Sequence, residues 1–183
     1  MPRKAKALAV YSRRRNFAIT PEPDALVRTG RGPRNGLLYV IQKHAASHLH
    51  YDFRLEWNGV LLSWAIPKGP SPRPTDKRLA IRTEDHPLAY GGFEGTIPEG
   101  QYGAGTVELW DTGTWAPEDP DVDASLRNGE LKFELFGHRL RGSWVLVRTA
   151  AVGKAADRQA WLLIKREDRY RQRSATGQPR KAV

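Results

Sequence analysis

The sequence predicts an all-β fold: a closed antiparallel barrel of about eight strands with one or two short helices. Three observations predict it. Apolar residues recur with a period of two, most strictly in His50 to Trp57 (HYDFRLEW), where Tyr51, Phe53, Leu55 and Trp57 share one face. The strand-like runs are short, closely spaced and separated by turn residues. Only DPDVDASLRNG, residues 119–129, reads as a helix of any length. Many short strands with few helices indicate a barrel or a sandwich. A closed barrel of about eight strands fills its interior with side chains, so a functional site is expected on the surface or rim.

Taken in order, residues 1–36 carry scattered Arg and then TPEPD and RTGRGPRNG, where Pro, Gly and Asn break any period, so they read as an irregular basic strap packing on the barrel. The barrel is expected over 37–170. It begins with the apolar run GLLYVIQ (36–42), and HAASHL (44–49) reads as one further helical turn. Asn58-Gly59 supplies a two-residue type I′ hairpin between HYDFRLEW and VLLSWAI. RLAIRTE (78–84), TVELW (106–110), LKFELF (131–136), SWVLVR (143–148) and WLLIK (161–165) complete the strands, with a turn at Asp111-Thr112-Gly113. The helix takes Asp121 or Asp123 as its cap and ends at Gly129. The connection 86–105 holds six glycines and little period, and loops of that length are often functional. Residues 171–183 read as a basic tail.

The 183 residues suffice for one ordinary domain. The chain has no Cys, which excludes disulfide scaffolds, Cys-type zinc sites and thiol nucleophiles and fits a reducing compartment. It has no apolar run approaching a membrane helix and no signal-peptide apolar core after Met1, so a soluble, cytoplasmic protein without membrane contact is expected. The net charge of +10 points to a polyanionic partner. That charge lies at the ends: residues 1–36 carry +7, 165–183 carry +5, and 37–164 carry −2.

Chemistry concentrates in residues 42–90. The polar face of the alternating strand carries His50, Asp52, Arg54 and Glu56, so an imidazole, a carboxylate and a guanidinium stand side by side. His50 and Asp52 can face a common divalent cation, with His44 as a third ligand from the connecting turn. The ordinary reading of such a face is a solvated strand with a weak Asp52–Arg54 pair. Against it, two His and one carboxylate leave coordination positions open, as a catalytic metal requires. By the same alternation Arg78, Arg82, Glu84 and His86 share a face, and Lys68 follows a strand end on a rigid PKGPS turn. Cations beside a metal site imply a phosphate or another anion. His48 has spacing for a metal pair with either His44 or His50, or is simply exposed on a short connector. His138 sits alone in a turn, and the six Trp fall mostly in strand runs, where they read as core.

The runs QKHAASHLHYDFRLEWNGVLLSWAIPKGPS and KRLAIRTEDHPLAYGGFEGTIPEGQYGAGTVELWDTGTW closely resemble the 3′-phosphoesterase domain of bacterial ligase D, the multi-domain DNA ligase of nonhomologous end joining. The likeness extends from about Phe17 to Tyr170. It implies a divalent-metal phosphoesterase, usually dependent on manganese, with zinc and cobalt as other candidates. Such enzymes remove a 3′-terminal ribonucleoside and then the 3′-phosphate from DNA or primer strands, leaving a 3′-hydroxyl. By position in the motif, the resemblance makes His44, His50 and Asp52 metal ligands and puts Arg54, His86 and Tyr90 at the scissile phosphate, with Glu84 a further essential position. It makes Gln42, Lys68, Arg78 and Glu22 supporting substrate contacts. His48 stands where relatives commonly have other residues and is not carried over. At Asn16 this chain has RNF where many relatives have an RDF-type motif, a departure expected to weaken one of the two activities. The implied partners are DNA or RNA–DNA primer-template 3′ ends, ligase and polymerase modules and an end-binding protein, in a nucleoid-associated monomer that is either free-standing or a module of the ligase. Two other classes stay open: a non-catalytic nucleic-acid-binding β-barrel, and a metal-dependent enzyme acting on small molecules.

Overall fold

Among the described residues ten antiparallel strands form one sheet, and eight of them close into a barrel. The computed structural model describes residues 6–25, 36–149 and 160–167. The strands are β1 (Leu37–Ala45), β2 (Leu49–Trp57), β3 (Val60–Ile66), β4 (Lys77–Arg82), β5 (His86–Pro87), β6 (Gly95–Ile97), β7 (Gly105–Pro117), β8 (Glu130–Gly137), β9 (Arg141–Arg148) and β10 (Ala160–Lys165). Around the barrel the order is β1-β2-β3-β4-β10-β9-β8-β7, and β7 closes on β1. These eight are the eight strands read from the sequence. The two short extra strands, β5 and β6, lie in the glycine-rich connection.

The barrel interior holds the main core, and part of the wall carries a second, smaller one outside. Tyr39, Ile41, Phe53, Leu55, Trp64, Trp115, Phe133, Trp144 and Trp161 are buried in the main cluster, and Phe53 packs 5.9 Å from Phe133 between ring centroids. The opposite face of β1, β2 and β3 is covered by a smaller cluster of Tyr11, Leu61, Tyr90, Phe93, Ile97 and Val107. The N-terminal segment and the 86–105 connection supply most of that cover. The polar face of β2 is therefore not solvated: Asp52, Arg54 and Glu56 are all buried.

Several local readings are corrected. The strap is not wholly irregular, because α1 (Ala9–Arg13) forms within it and places Leu8 and Tyr11 against the barrel. The apolar pair at i, i+3 was masked by the surrounding arginines. HAASHL forms no helical turn, since β1 runs to Ala45 and pairs His44 directly with His50, leaving a bend at 46–48. Strand β4 ends at Arg82, so Thr83 and Glu84 lie beyond it. The residues beyond 167, including the basic tail, lie outside the described part, as do 1–5 and 26–35 of the strap.

Other readings agree with the structure. Asn58 (φ 48°) and Gly59 (φ 81°) make the predicted hairpin turn, with both residues in the left-handed region that Asn and Gly tolerate. Helix α2 (Val122–Asn128) is capped by Asp121, whose carboxylate accepts from the Ala124 N–H at 2.8 Å, and it ends at Gly129. Among the described residues no helix is long and apolar enough to cross a membrane.

Asp111-Thr112-Gly113 is the clearest reversal, because it lies inside β7 rather than in a turn. The polar residue is used internally. Asp111 is buried and accepts from the backbone N–H groups of Thr112, His138, Arg139 and Leu140 at 2.9–3.0 Å and from the Tyr39 hydroxyl at 2.9 Å. Burial, then the Asp111 carboxylate, push the Tyr39 phenol far above its ordinary value, so it stays a donor. Each orphaned buried N–H costs about 1–3 kcal/mol. Asp111→Ala is therefore expected to destabilise the barrel by at least about 3 kcal/mol in denaturant unfolding, with Asp111→Asn losing less.

Candidate functional site

The β1–β2 register assembles the site. Gln42 lies opposite Asp52 and His44 opposite His50, and Arg54 faces Ser63 on β3. Because directly paired residues point to the same side of a sheet, His44, Gln42, His50, Asp52 and Arg54 converge on the outer face of the wall. One ligand atom from each of His44, His50 and Asp52 lies within 4.8 Å of the others. His44 Nδ1 is 3.4 Å from Asp52 Oδ2, and His50 Nε2 is 3.7 Å from Oδ1.

Both imidazoles are oriented by carbonyls. His44 Nε2 is 2.9 Å from the Gly103 carbonyl, and His50 Nδ1 is 2.9 Å from the His48 carbonyl. A carbonyl only accepts, so each of these nitrogens carries a proton, and His44 Nδ1 and His50 Nε2 are the atoms turned toward the Asp52 carboxylate. Burial alone would raise the Asp52 carboxyl, but Arg54, His44 and His50 overcome it and hold it below the ordinary carboxylate value. Two imidazole nitrogens and a carboxylate are the donor set of a divalent transition-metal site with open positions, and these residues fit one. The role of residue 48 is carried by its backbone, because the His48 side chain is exposed. Gly103 has φ +78°, a conformation that suits glycine where its carbonyl meets His44.

Behind the ligands Arg54 is fixed on every side. Its Nη2 lies 3.1 Å from Asp52, Nε donates to Gln42 Oε1 at 2.8 Å, Nη1 donates to Ser63 Oγ at 2.9 Å, and its guanidinium sits 4.7 Å from the Tyr90 ring centroid. Gln42 also donates to the carbonyls of Tyr90 and Phe93, which ties the 86–105 connection to β1. Tyr90 stands on a 3₁₀ turn, Leu88–Gly92, with its ring centroid 4.6 Å from that of His86 in an edge-to-face arrangement.

His86 is buried between two guanidinium groups. Its Nδ1 is 2.9 Å from the Glu84 carbonyl and 3.0 Å from Arg54 Nη1, while Nε2 is 3.3 Å from Arg15 Nη2. A proton on Nδ1 satisfies the Glu84 carbonyl and leaves Nε2 to accept from Arg15. Burial, then Arg54 and Arg15, lower its pKa well below 6.5, so it is neutral at pH 7. The sign of the linkage follows: an unfolded His takes up a proton below about pH 6.5 while folded His86 does not. Its contribution to stability is fully present above that pH and is lost as pH falls toward the folded value. The melting temperature is expected to fall on acidification below about pH 6.5, and His86→Gln to flatten that slope.

The N-terminal segment adds a residue that sequence reasoning missed. Arg15 donates from Nε to Glu22 at 2.9 Å and from Nη1 to Glu84 at 3.1 Å, and its guanidinium lies 3.8 Å from the Tyr11 ring centroid. Burial opposes its charge, but Glu22 holds its pKa above the ordinary value. The one signal for it was its i, i+4 spacing from Tyr11. Asn16, where the sequence departs from the RDF-type pattern, is exposed and accepts from the Ala18 N–H in its own turn at 3.1 Å.

A cavity of about 270 Å³ gathers these groups. Glu22, His44, His50, Asp52, Arg54, Glu84, His86 and Tyr90 line it together with Arg15 and Tyr102, and Gln42 lies directly behind Arg54. Two of the residues named from sequence stand apart. Lys68 is exposed on the turn after β3, and Arg78 on β4 donates to Asp76 at 2.9 Å instead of facing the cavity.

The sequence model of the DNA Ligase D 3′-phosphoesterase domain matches residues 42–148, which span the strands of this site. The chain belongs to that family. The multifunctional non-homologous end joining protein LigD of Pseudomonas aeruginosa is 52% identical over 168 residues, covering 90% of this chain and 19% of that protein. The LigD proteins of Mycobacterium tuberculosis (46% over 145 residues) and Mycolicibacterium smegmatis (40% over 152) each cover 79% of the chain and 19% of their own length. The chain thus spans about a fifth of the length of the curated relatives it matches, which are multifunctional end-joining proteins.

Proposed function

We propose that this domain is a manganese-dependent phosphoesterase that removes 3′-terminal ribonucleosides and 3′-phosphates from DNA strands, leaving a 3′-hydroxyl for polymerase and ligase modules in end joining. The observation that carries the reading is the set of three facing donors, His44, His50 and Asp52, beside a buried guanidinium in a cavity large enough for a phosphate. His44, His50 and Asp52 hold the metal, which when bound supplies charge neutralisation at the phosphate and an acidified water. Arg54 clamps nonbridging phosphate oxygens, pre-oriented by Gln42 and Ser63 so that little entropy is lost on binding. Tyr90 and Gln42 keep the guanidinium in place.

His86 begins neutral. A phosphate arriving beside Nε2 offsets the burial and the two guanidinium charges, so His86 takes up a proton from solvent there and can pass it to the leaving oxygen, the 5′ oxygen of a departing ribonucleoside or the 3′ oxygen of the strand when a 3′-phosphate is released. Arg15, braced by Glu22 and Glu84, faces the same phosphate. Lys68 and Arg78, outside the cavity, are left to contacts further along the strand. The basic ends of the chain grip the backbone without reading sequence, since residues 1–36 carry +7 and 165–183 carry +5 while residues 37–164 carry −2.

The decisive experiment incubates the protein with a labelled primer-template bearing a 3′-ribonucleotide or a 3′-phosphate, with and without manganese. Conversion to a 3′-hydroxyl only with the metal is the expected result. Salt-sensitive DNA binding without end processing would instead make the domain a binding barrel.

A further inference from the structure

Two cavities meet at one ring. Tyr102 lines the catalytic cavity and also a flanking groove of about 520 Å³, whose walls include Val10, Arg14, Ile81 and Arg82. Tyr102 is 46% exposed, whereas Tyr11, Tyr39 and Tyr90 are buried. Core packing therefore does not account for its position. Charged neighbours hold it: Arg14 Nη1 donates to the phenol oxygen at 2.6 Å, and the Arg14 guanidinium lies 4.7 Å from the ring centroid. Arg14 is itself anchored 3.1 Å from Glu84, and Arg15 lies 5.6 Å from the same centroid.

We propose that Tyr102 is the stacking platform for the base of the substrate strand's 3′-terminal nucleoside, and that the flanking groove takes the strand leading into it. The inference rests on the DNA-end reading above and names the subsite which that reading lacks. The groove has what a nucleotide needs: aliphatic walls from Val10 and Ile81, an aromatic face, and the Arg14 and Arg82 cations for the backbone. Aromatic faces beside cations hold single strands without sequence preference, because every base has a π-face. An end-processing enzyme has to accept any terminal base, so stacking suits it better than hydrogen-bond readout. The groove's volume lies within the range of ligand sites. Tyr102 lies in the turn closed by the Ala104 N–H on the Gln101 carbonyl and precedes Gly103, whose carbonyl orients His44, so a base on Tyr102 sits one residue from the ligand shell.

The test uses a 3′-phosphorylated oligonucleotide with 2-aminopurine either at the 3′-terminal position or several nucleotides inside, titrated with the full chain while divalent metal is chelated. Quenching of the terminal probe on binding, without quenching of the internal one, is expected. Tyr102→Phe should retain the quenching and Tyr102→Leu should lose it. In manganese, Tyr102→Leu should raise KM for the strand about tenfold, the scale of one lost base–aromatic stack, with a smaller effect on kcat. Equal terminal quenching in Tyr102→Leu and wild type, or binding without terminal quenching in wild type, overturns the platform. Phosphate release by a wild type that shows no terminal quenching would sink the platform and leave the phosphoesterase reading intact. Terminal quenching without phosphate release would do the reverse.

Discussion

Asp52→Ala and His50→Ala are each expected to abolish manganese-dependent phosphate release from a 3′-phosphorylated primer, with single-turnover rates falling by about 10²–10⁴. Removing either residue takes away one of three donors that lie within 4.8 Å of one another. The two substitutions differ in what else they disturb. His50 is only partly buried and meets the rest of the protein through the His48 carbonyl, the Asp52 carboxylate and the tilted His44 ring, so His50→Ala should fold normally. Asp52 also lies 3.1 Å from Arg54 Nη2, so Asp52→Ala leaves a buried guanidinium short of a partner and should lower stability as well. Asp52→Asn separates these effects by keeping an oxygen near Arg54 while removing the charge. Manganese binding measured by calorimetry should weaken in all three variants. Undiminished phosphate release in both alanine variants would remove the metal site from the proposed chemistry.

How far this site was legible depends on which physical signal each residue leaves in sequence. Strand alternation is local and exact in period, so His50, Asp52 and Arg54 were legible as one face, with their apolar counterparts Tyr51, Phe53 and Leu55 on the other. Long-range pairing leaves no such mark. That His44 sits opposite His50 followed from β1 running to Ala45, three residues past the GLLYVIQ run, and polar Lys43 and His44 hid that extension. Alternation also continued too far: it grouped Arg78 with Glu84 and His86, but β4 stops at Arg82 and the chain turns, so Arg78 is left paired with Asp76. Arg15 was the least legible. Its partners Glu22, Glu84 and His86 meet it only through tertiary packing, and a basic segment rich in Pro and Gly offers no period to read. Asp111 misled for a related reason. Asp-Thr-Gly has the composition of a turn, yet here the carboxylate satisfies the backbone of a different turn, between β8 and β9.

Arg54→Lys is expected to lose activity nearly as completely as Arg54→Ala, and that result would show what the buried polar network is for. Arg54 is 2% exposed, and its Nε, Nη1 and Nη2 are directed to Gln42, Ser63 and Asp52 respectively. A planar guanidinium meets three partners in three directions at once, whereas an ammonium offers its donors from a single atom and cannot span the same fork. Lysine would preserve the charge and leave at least one buried acceptor unmatched. Breaking a buried ionic network of this kind costs about 3–5 kcal/mol, so both variants should unfold at lower denaturant concentration. The Arg54 charge is, after burial, the largest influence lowering the His86 pKa. Arg54→Ala should therefore move His86 back toward its ordinary value, an effect that NMR titration of the imidazole would register, whereas Arg54→Lys should move it less. Activity is then lost about equally in the two variants while the His86 shift is larger in Arg54→Ala, which separates a fork that positions phosphate from a charge that merely tunes the histidine. Wild-type kcat/KM in Arg54→Lys would show that charge alone suffices and that the bidentate clamp is not used.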